Sequence, residues 1–173
     1  SELILTPSAC QTYLIQVGGI YWSNETDAGV LEITPAPSPP ANDDCSAPAA
    51  LSGTGAFPYD GTSGSDSGFS AGAGSACDLF AMDQDVFFVW TATCPGTYSV
   101  STDPTSGVSD TKLNVHLGSD CSATCLVSHD NLDPAGGNLL SEVQLTGVIA
   151  GTPYLIQVGT WHRSLPPSFL QLT

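Results

Sequence analysis

The hexapeptide Tyr-Leu-Ile-Gln-Val-Gly occurs twice, at residues 13–18 and 154–159. Its surroundings repeat more loosely. Ser1-Glu2-Leu3-Ile4-Leu5-Thr6 precedes the first copy, and Ser141-Glu142-Val143-Gln144-Leu145-Thr146 precedes the second. After them, Leu31-Glu32-Ile33-Thr34 answers Leu170-Gln171-Leu172-Thr173. Self-similarity of this kind marks repeated units that bury their apolar faces against neighbours. The alignment implies that the chain starts inside one repeat, near its end, and then runs through a whole second one. Such a pattern points to a module of an array or polymer before it points to an enzyme.

The strand pattern gives the fold class. Residues 1–34 read as three strands, Glu2–Thr6, Thr12–Val17 and Gly29–Thr34. Pro35-Ala36-Pro37-Ser38-Pro39-Pro40 comes next, a stiff extended spacer over residues 35–41. Asn42-Asp43-Asp44-Cys45 opens a second unit, residues 42–173. Residues 51–77 are mostly small and predict a long loop with one or two short strands, around Gly55–Tyr59. Asp85–Thr93 is the strongest strand. Val86 to Trp90 is apolar throughout, as a strand covered on both faces would be. Cys94-Pro95-Gly96 signals a turn. Thr97–Thr102 and Thr111–Leu117 alternate, the first with Tyr98 and Val100 on one face, the second with Leu113, Val115 and Leu117. Cys125–His129, Leu139–Thr146, Pro153–Gly159 and Ser168–Thr173 complete about eight strands. The expectation is an all-β chain: a jelly-roll or Greek-key-like β-sandwich, preceded by three strands of a partial repeat.

Charge and cysteines bound the partners. Lys112 and Arg163 stand against 17 Asp and Glu, a net charge of −15. Phosphate backbones and anionic membranes are poor partners for such a surface. No apolar run is long enough to span a bilayer as a helix. Six cysteines in a Gly- and Ser-rich chain suggest disulfides and an extracellular or cell-surface location. Six cysteines allow fifteen connectivities. Cys121 with Cys125 would close a small loop, Cys45 with Cys77 would tie the domain entrance to the next strand region, and Cys10 would be left with Cys94. Asn24-Glu25-Thr26 is a glycosylation sequon.

Five segments, in this order, resemble the bacterial pre-peptidase C-terminal (PPC) domain and its secreted cysteine-bearing relatives. They are Asn42-Asp43-Asp44, the strand from Asp85 to Ala92, Pro95 to Val100, Asp110 to Val115, and Gly151 to Gly159. The resemblance covers residues 42–173, while residues 1–34 match only its closing third. It implies a jelly-roll-like β-sandwich, found in secreted proteases and in tandem copies on surface proteins. Some members bind calcium, others collagen or polysaccharide. The collagen binders carry a surface row of aromatics. Here Trp90 and Tyr98 read as core, so that role is not carried over.

Chemistry finds little foothold in the sequence. Ser128-His129-Asp130 are consecutive on a strand, so their side chains diverge, which is not triad geometry. His116 alternates outward from Val115 and reads as a solvated residue, and His162 has no partner motif. Calcium needs several carboxylates and carbonyls at one point. The candidate donors are Asn42, Asp43, Asp44, Asp83, Asp85, Asp110, Asp130 and Asp133.

The leading strands pose a physical problem. Leu3, Leu5, Tyr13, Ile15 and Val17 need an apolar cover that so short a segment cannot supply, and exposed strand edges recruit partners. The functional expectation is a non-catalytic extracellular structural or adhesive module. Three arrangements would cover the leading strands: a longer array of neighbouring repeats, packing against the chain's own second unit, or self-association in which strand complementation between subunits builds a filament. The alternative is an accessory domain of a secreted hydrolase that binds a polysaccharide or protein substrate.

Overall fold

The computed structural model describes residues 12–16, 30–35, 37–69, 77, 82–103, 110–133, 137–161 and 165–173. The chain divides into two compact units, residues 1–37 and 38–173, with the boundary inside the Pro-rich stretch. Leu3, Leu5, Cys10, Val17, Asn24 and His162 lie outside the described residues. In the leading unit, residues 12–16 and 30–34 carry no strand pairing among the described residues.

The second unit is all-β, with nine strands in two sheets among the described residues. These are β1 (Ala49–Leu51), β2 (Gly55–Tyr59), β3 (Asp83–Thr91), β4 (Gly96–Asp103), β5 (Thr111–Leu117), β6 (Thr124–His129), β7 (Glu142–Val148), β8 (Pro153–Thr160) and β9 (Ser168–Leu172). The five-stranded sheet runs β1-β3-β8-β5-β6, and the four-stranded sheet runs β2-β9-β4-β7. Only β5 and β6 are successive strands in the same sheet; every other described step changes sheets. Most pairing is therefore non-local, a topology whose loop-closure cost makes folding slow. Strand β1 adds to the set expected from the sequence; it is a short edge strand, parallel to β3.

The two sheets differ in how they are covered. In the four-stranded sheet β7 alternates, with Val143, Leu145 and Val148 buried and Gln144 and Thr146 exposed. That is the pattern of a sheet wetted on one face. In the five-stranded sheet, β8 is buried from Tyr154 through Thr160 and β5 from Thr111 through His116. Its inner face supplies Val86, Phe88, Trp90, Leu113, Val115, Tyr154, Ile156 and Val158 to the main core. Its outer face holds Phe87 and Leu155 in a second apolar cluster with Cys45, against which Phe69 and Ala123 pack. Residues 61–69 lie over that outer face as a roof, with Phe69 packed against Phe87 and His116. The expectation that Val86 to Trp90 is covered on both faces holds for Val86, Phe87, Phe88 and Trp90, and Val89 is half-buried.

Two details let the strands and the roof sit so close. Gly159 permits the approach of β3 onto β8: a Cβ there would stand 2.7 Å from Met82 Cβ. Beside it β3 is irregular between Asp83 and Val86, where Gln84 adopts a left-handed φ of 48°. Such a conformation strains an L-residue. It is held by three hydrogen bonds: the Gln84 N–H donates to Asp66, its side-chain amide donates to the Thr62 carbonyl, and its Oε1 accepts from the Leu165 N–H.

Candidate functional site

The outer face of the five-stranded sheet carries nearly all the unusual chemistry of the described chain. Strand register places it in rows. Phe87 stands beside Gln157, Gln157 beside Asn114, and Asn114 beside Ser128. The next row runs Val89, Leu155, His116, Cys125. Lys112 pairs with Gly159 on the same face. Alternation alone would put Lys112, Asn114 and His116 in water. Phe69 of the roof lies against His116 and the Trp161 ring lies against Lys112, and both Lys112 and His116 are 0% exposed.

The roof is latched by carboxylates and serines. Asp85 accepts from the Ser67 N–H at 2.9 Å and from the Ser67 hydroxyl. It also accepts from the Gln157 amide at 2.6 Å, and Gln157 in turn accepts from Asn114 at 3.0 Å. Burial nonetheless raises the Asp85 carboxyl above its usual range, outweighing the Ser67 and Gln157 hydrogen bonds that pull it down. Asp43 makes the parallel latch, accepting from the Ser65 N–H at 2.7 Å and from the Ser65 hydroxyl at 2.6 Å. Asn42 pairs with the backbone of Phe87 in both directions, through its own carbonyl and its side-chain amide. Charge-assisted bonds of this kind contribute roughly 1.5–3 kcal/mol each when buried.

Two disulfides fasten segments over the same outer face, and they correct the sequence expectation. Cys45 is joined to Cys121 and Cys77 to Cys125, with Cα separations of 5.0 and 5.8 Å. The expected Cys121–Cys125 and Cys45–Cys77 pairs do not form. Cys125 sits on β6 opposite His116, so its side chain stands off the outer face of the sheet, where Cys77 meets it. Cys121 lies in the β5–β6 loop and meets Cys45. Spacing in sequence could not reveal partners brought together by the roof. Cys94 is an exposed, free thiol among the described residues; the expected Cys10–Cys94 pairing involves Cys10, which lies outside them. Two disulfides indicate a non-reducing environment.

Lys112 organises a third group. Its ammonium lies 3.9 Å from the centre of the Trp161 ring. Desolvation lowers its pKa, and the charges of Asp130, Asp110 and Asp83 oppose that. Burial raises Asp130, with Lys112 acting against it. Asp110 and Asp130 each keep one buried carboxylate oxygen without a hydrogen-bond partner.

The eight candidate calcium donors thus fall into separate places. Asp43 and Asp85 hold the roof through Ser65 and Ser67, and Asn42 ties the entrance turn to β3. Asp83, Asp110 and Asp130 lie in the field of Lys112. Asp44 is exposed and lowered by hydrogen bonds from Ser46. Asp133 pairs through its backbone with Asn138 in an isolated bridge. Among the described residues, no three of these carboxylates bring oxygens within 4.8 Å of one another.

The histidines divide as sharply. His129 accepts the Glu142 N–H on Nδ1 at 3.2 Å, bridging β6 to β7. Its register partner is Leu113 of the inner face, while Ser128 is opposite Asn114 on the outer face. His116 differs from the solvated residue expected. It is tilted against Phe69 at 5.1 Å, and neither ring nitrogen has a hydrogen-bond partner. Burial pushes its pKa down to about 4; the Gln157 side chain, close to the ring but outside hydrogen-bonding geometry, opposes this more weakly as a polar partner for the charged form. Leaving a buried polar atom unpaired costs about 1–3 kcal/mol.

Comparison with family models, with curated proteins and with solved structures finds no match to this chain.

Proposed function

We propose that this chain is a non-catalytic, extracellular β-sandwich repeat module of the PPC type, which works by associating with neighbouring copies. One observation carries the reading. Tyr-Leu-Ile-Gln is buried in β8, while the same residues at 13–16 are exposed: Leu155 is 0% exposed and Leu14 is 99% exposed. Ile33 is likewise 76% exposed, whereas its counterpart Leu172 is fully buried. A segment with the sequence of a central strand, and the exposure of none, matches a strand offered to another sheet. The disulfides and the acidic surface suit an extracellular setting. Asp43 and Asp85, whose carboxylates are engaged by roof serines, serve stability in this reading and not catalysis.

The accessory-domain alternative draws less support. The large exposed hydrophobic residues described in the second unit are Leu117, Leu126, Leu132 and Ile149, all aliphatic. Aromatic faces, which stack on sugar rings, are not among them.

The test is sedimentation and electron microscopy of the full chain across concentration. Association into regular multimers is expected, and Leu14→Asp should abolish it without lowering Tm. A chain that stays monomeric up to millimolar concentration would overturn the reading.

A further inference from the structure

His116 presents a buried imidazole with both nitrogens unpartnered. A native protein rarely leaves such a group without a reason. The sulfurs of Cys77 and Cys125 and an imidazole nitrogen all lie within 4.8 Å of one another. The three groups come from three places: β5, the adjacent β6, and Cys77 from the connection between β2 and β3. Cys125 and His116 are register partners, so the sheet itself fixes two of the three positions. We propose that Cys77, Cys125 and His116 form a latent soft-metal site, closed by the disulfide and opened by its reduction, which takes Zn2+ through two thiolates and one imidazole.

The chemistry balances with a dithiol as reductant. Thiol–disulfide exchange transfers two hydrogen atoms from the dithiol to the protein. The dithiol becomes a cyclic disulfide, and the Cys77–Cys125 bond becomes two thiols. Zn2+ then displaces both thiol protons to solvent and takes one nitrogen lone pair of the neutral imidazole. Two sulfurs and a nitrogen suit zinc, and a water completes four-coordination. The roof therefore keeps a fastener in either redox state: a covalent bond when oxidised, a metal bridge when reduced.

A second sulfur-bearing group does not share this logic. Asp44, Cys45 and Cys121 also lie within 4.8 Å of one another, but Asp44 is exposed and already accepts from Ser46.

The experiment uses the full chain, reduced with a dithiol, freed of it under argon, and titrated with Zn2+ and with Co2+ as a spectroscopic probe. X-ray absorption of the zinc form should give two sulfurs at about 2.3 Å and one nitrogen at about 2.0–2.1 Å. His116→Ala should weaken zinc binding more than about 10-fold, since even partners outside the ligand shell are typically worth 10–100-fold. The Cys45→Ser, Cys121→Ser double variant should bind as the parent does. A shell without sulfur, a shell of four sulfurs, or equal binding by the oxidised chain would each overturn the proposal. The absorption spectrum is read on the unmutated chain, so misfolding of a variant does not touch that result.

Discussion

Tyr13-Leu14-Ile15-Gln16 and Tyr154-Leu155-Ile156-Gln157 are the same four residues in two settings. In the second, Tyr154 and Ile156 enter the main core and Leu155 packs beneath the roof beside Phe87. Gln157 there is a full member of a hydrogen-bond network, donating to Asp85 and accepting from Asn114. In the first setting Tyr13, Leu14 and Ile15 are 47, 99 and 38% exposed. Local propensity is identical, so cover decides the difference. A central strand needs apolar cover on its inner face, and here a roof on its outer one, before its preference for β structure is realised.

The sharpest way to break this comparison is to truncate the matched leucines. Leu155→Ala should cost about 2–5 kcal/mol, the usual range for a buried leucine. Leu14→Ala should change stability by less than about 0.5 kcal/mol. Chemical denaturation of the two variants, measured below the concentration of association, decides it. Equal costs would mean that the first copy is covered after all.

Next in size is the roof. Replacing Cys77 and Cys125 by serine opens a 48-residue link, and loop entropy alone assigns it about 4 kcal/mol. The Cys45–Cys121 bond still restrains the same region, so a loss of about 2–3 kcal/mol is expected. Faster amide exchange should appear on the outer-face strands. Unchanged exchange there would mean that the roof does not depend on this fastener.

His116 gives a smaller effect with a definite sign. Its folded pKa of about 4 lies below the ordinary 6.5. The stability tied to its neutral form is therefore fully present above pH 6.5. It is lost as pH falls toward 4, because the unfolded chain takes up the proton first. About 2 kcal/mol is at stake, allowing for solvent screening. Asp85, raised by burial, works the opposite way, losing stability as pH rises through its own range. The clean readout is the difference between the parent and His116→Phe. The variant should lose less stability between pH 7 and pH 4, and parallel curves would refute the assignment.

The smallest effect concerns the carboxylates near Lys112. Millimolar calcium should raise Tm of the parent by no more than about 1 °C, because the ammonium already supplies positive charge there. Lys112→Met leaves Asp83, Asp110 and Asp130 without that charge, so calcium should shift its Tm by several degrees. A large shift in the parent would instead make calcium a resident ion.

The apolar half of the fold is legible in the sequence, and the outer face is not. The strands at Gly55–Tyr59 and Thr111–Leu117 have the expected bounds, and β8 and β9 differ by a residue at one end. Alternation reveals which face of a strand is apolar, and so it places Leu113 and Val115 correctly. It cannot reveal a second layer made from a Gly- and Ser-rich loop, which has no periodicity of its own. Alternation therefore leaves Lys112 and His116 wet, and spacing joins cysteines that the roof pairs by position. A cue is nonetheless present. The outward positions of β5 are Lys112, Asn114 and His116, three different hydrogen-bonding residues, in line with Gln157 on β8. Ser67 and Asp85 carry no signal, because Ser and Asp are also ordinary turn residues.

Amide hydrogen exchange, followed residue by residue on the full chain at low and high concentration, tests the central claim most directly. Residues 154–157 should exchange slowly at both concentrations. Residues 13–16 should exchange fast when dilute and slowly once copies associate. Protection of residues 13–16 in the dilute monomer, or none at high concentration, would contradict the view that the first copy is a strand held out for a neighbour.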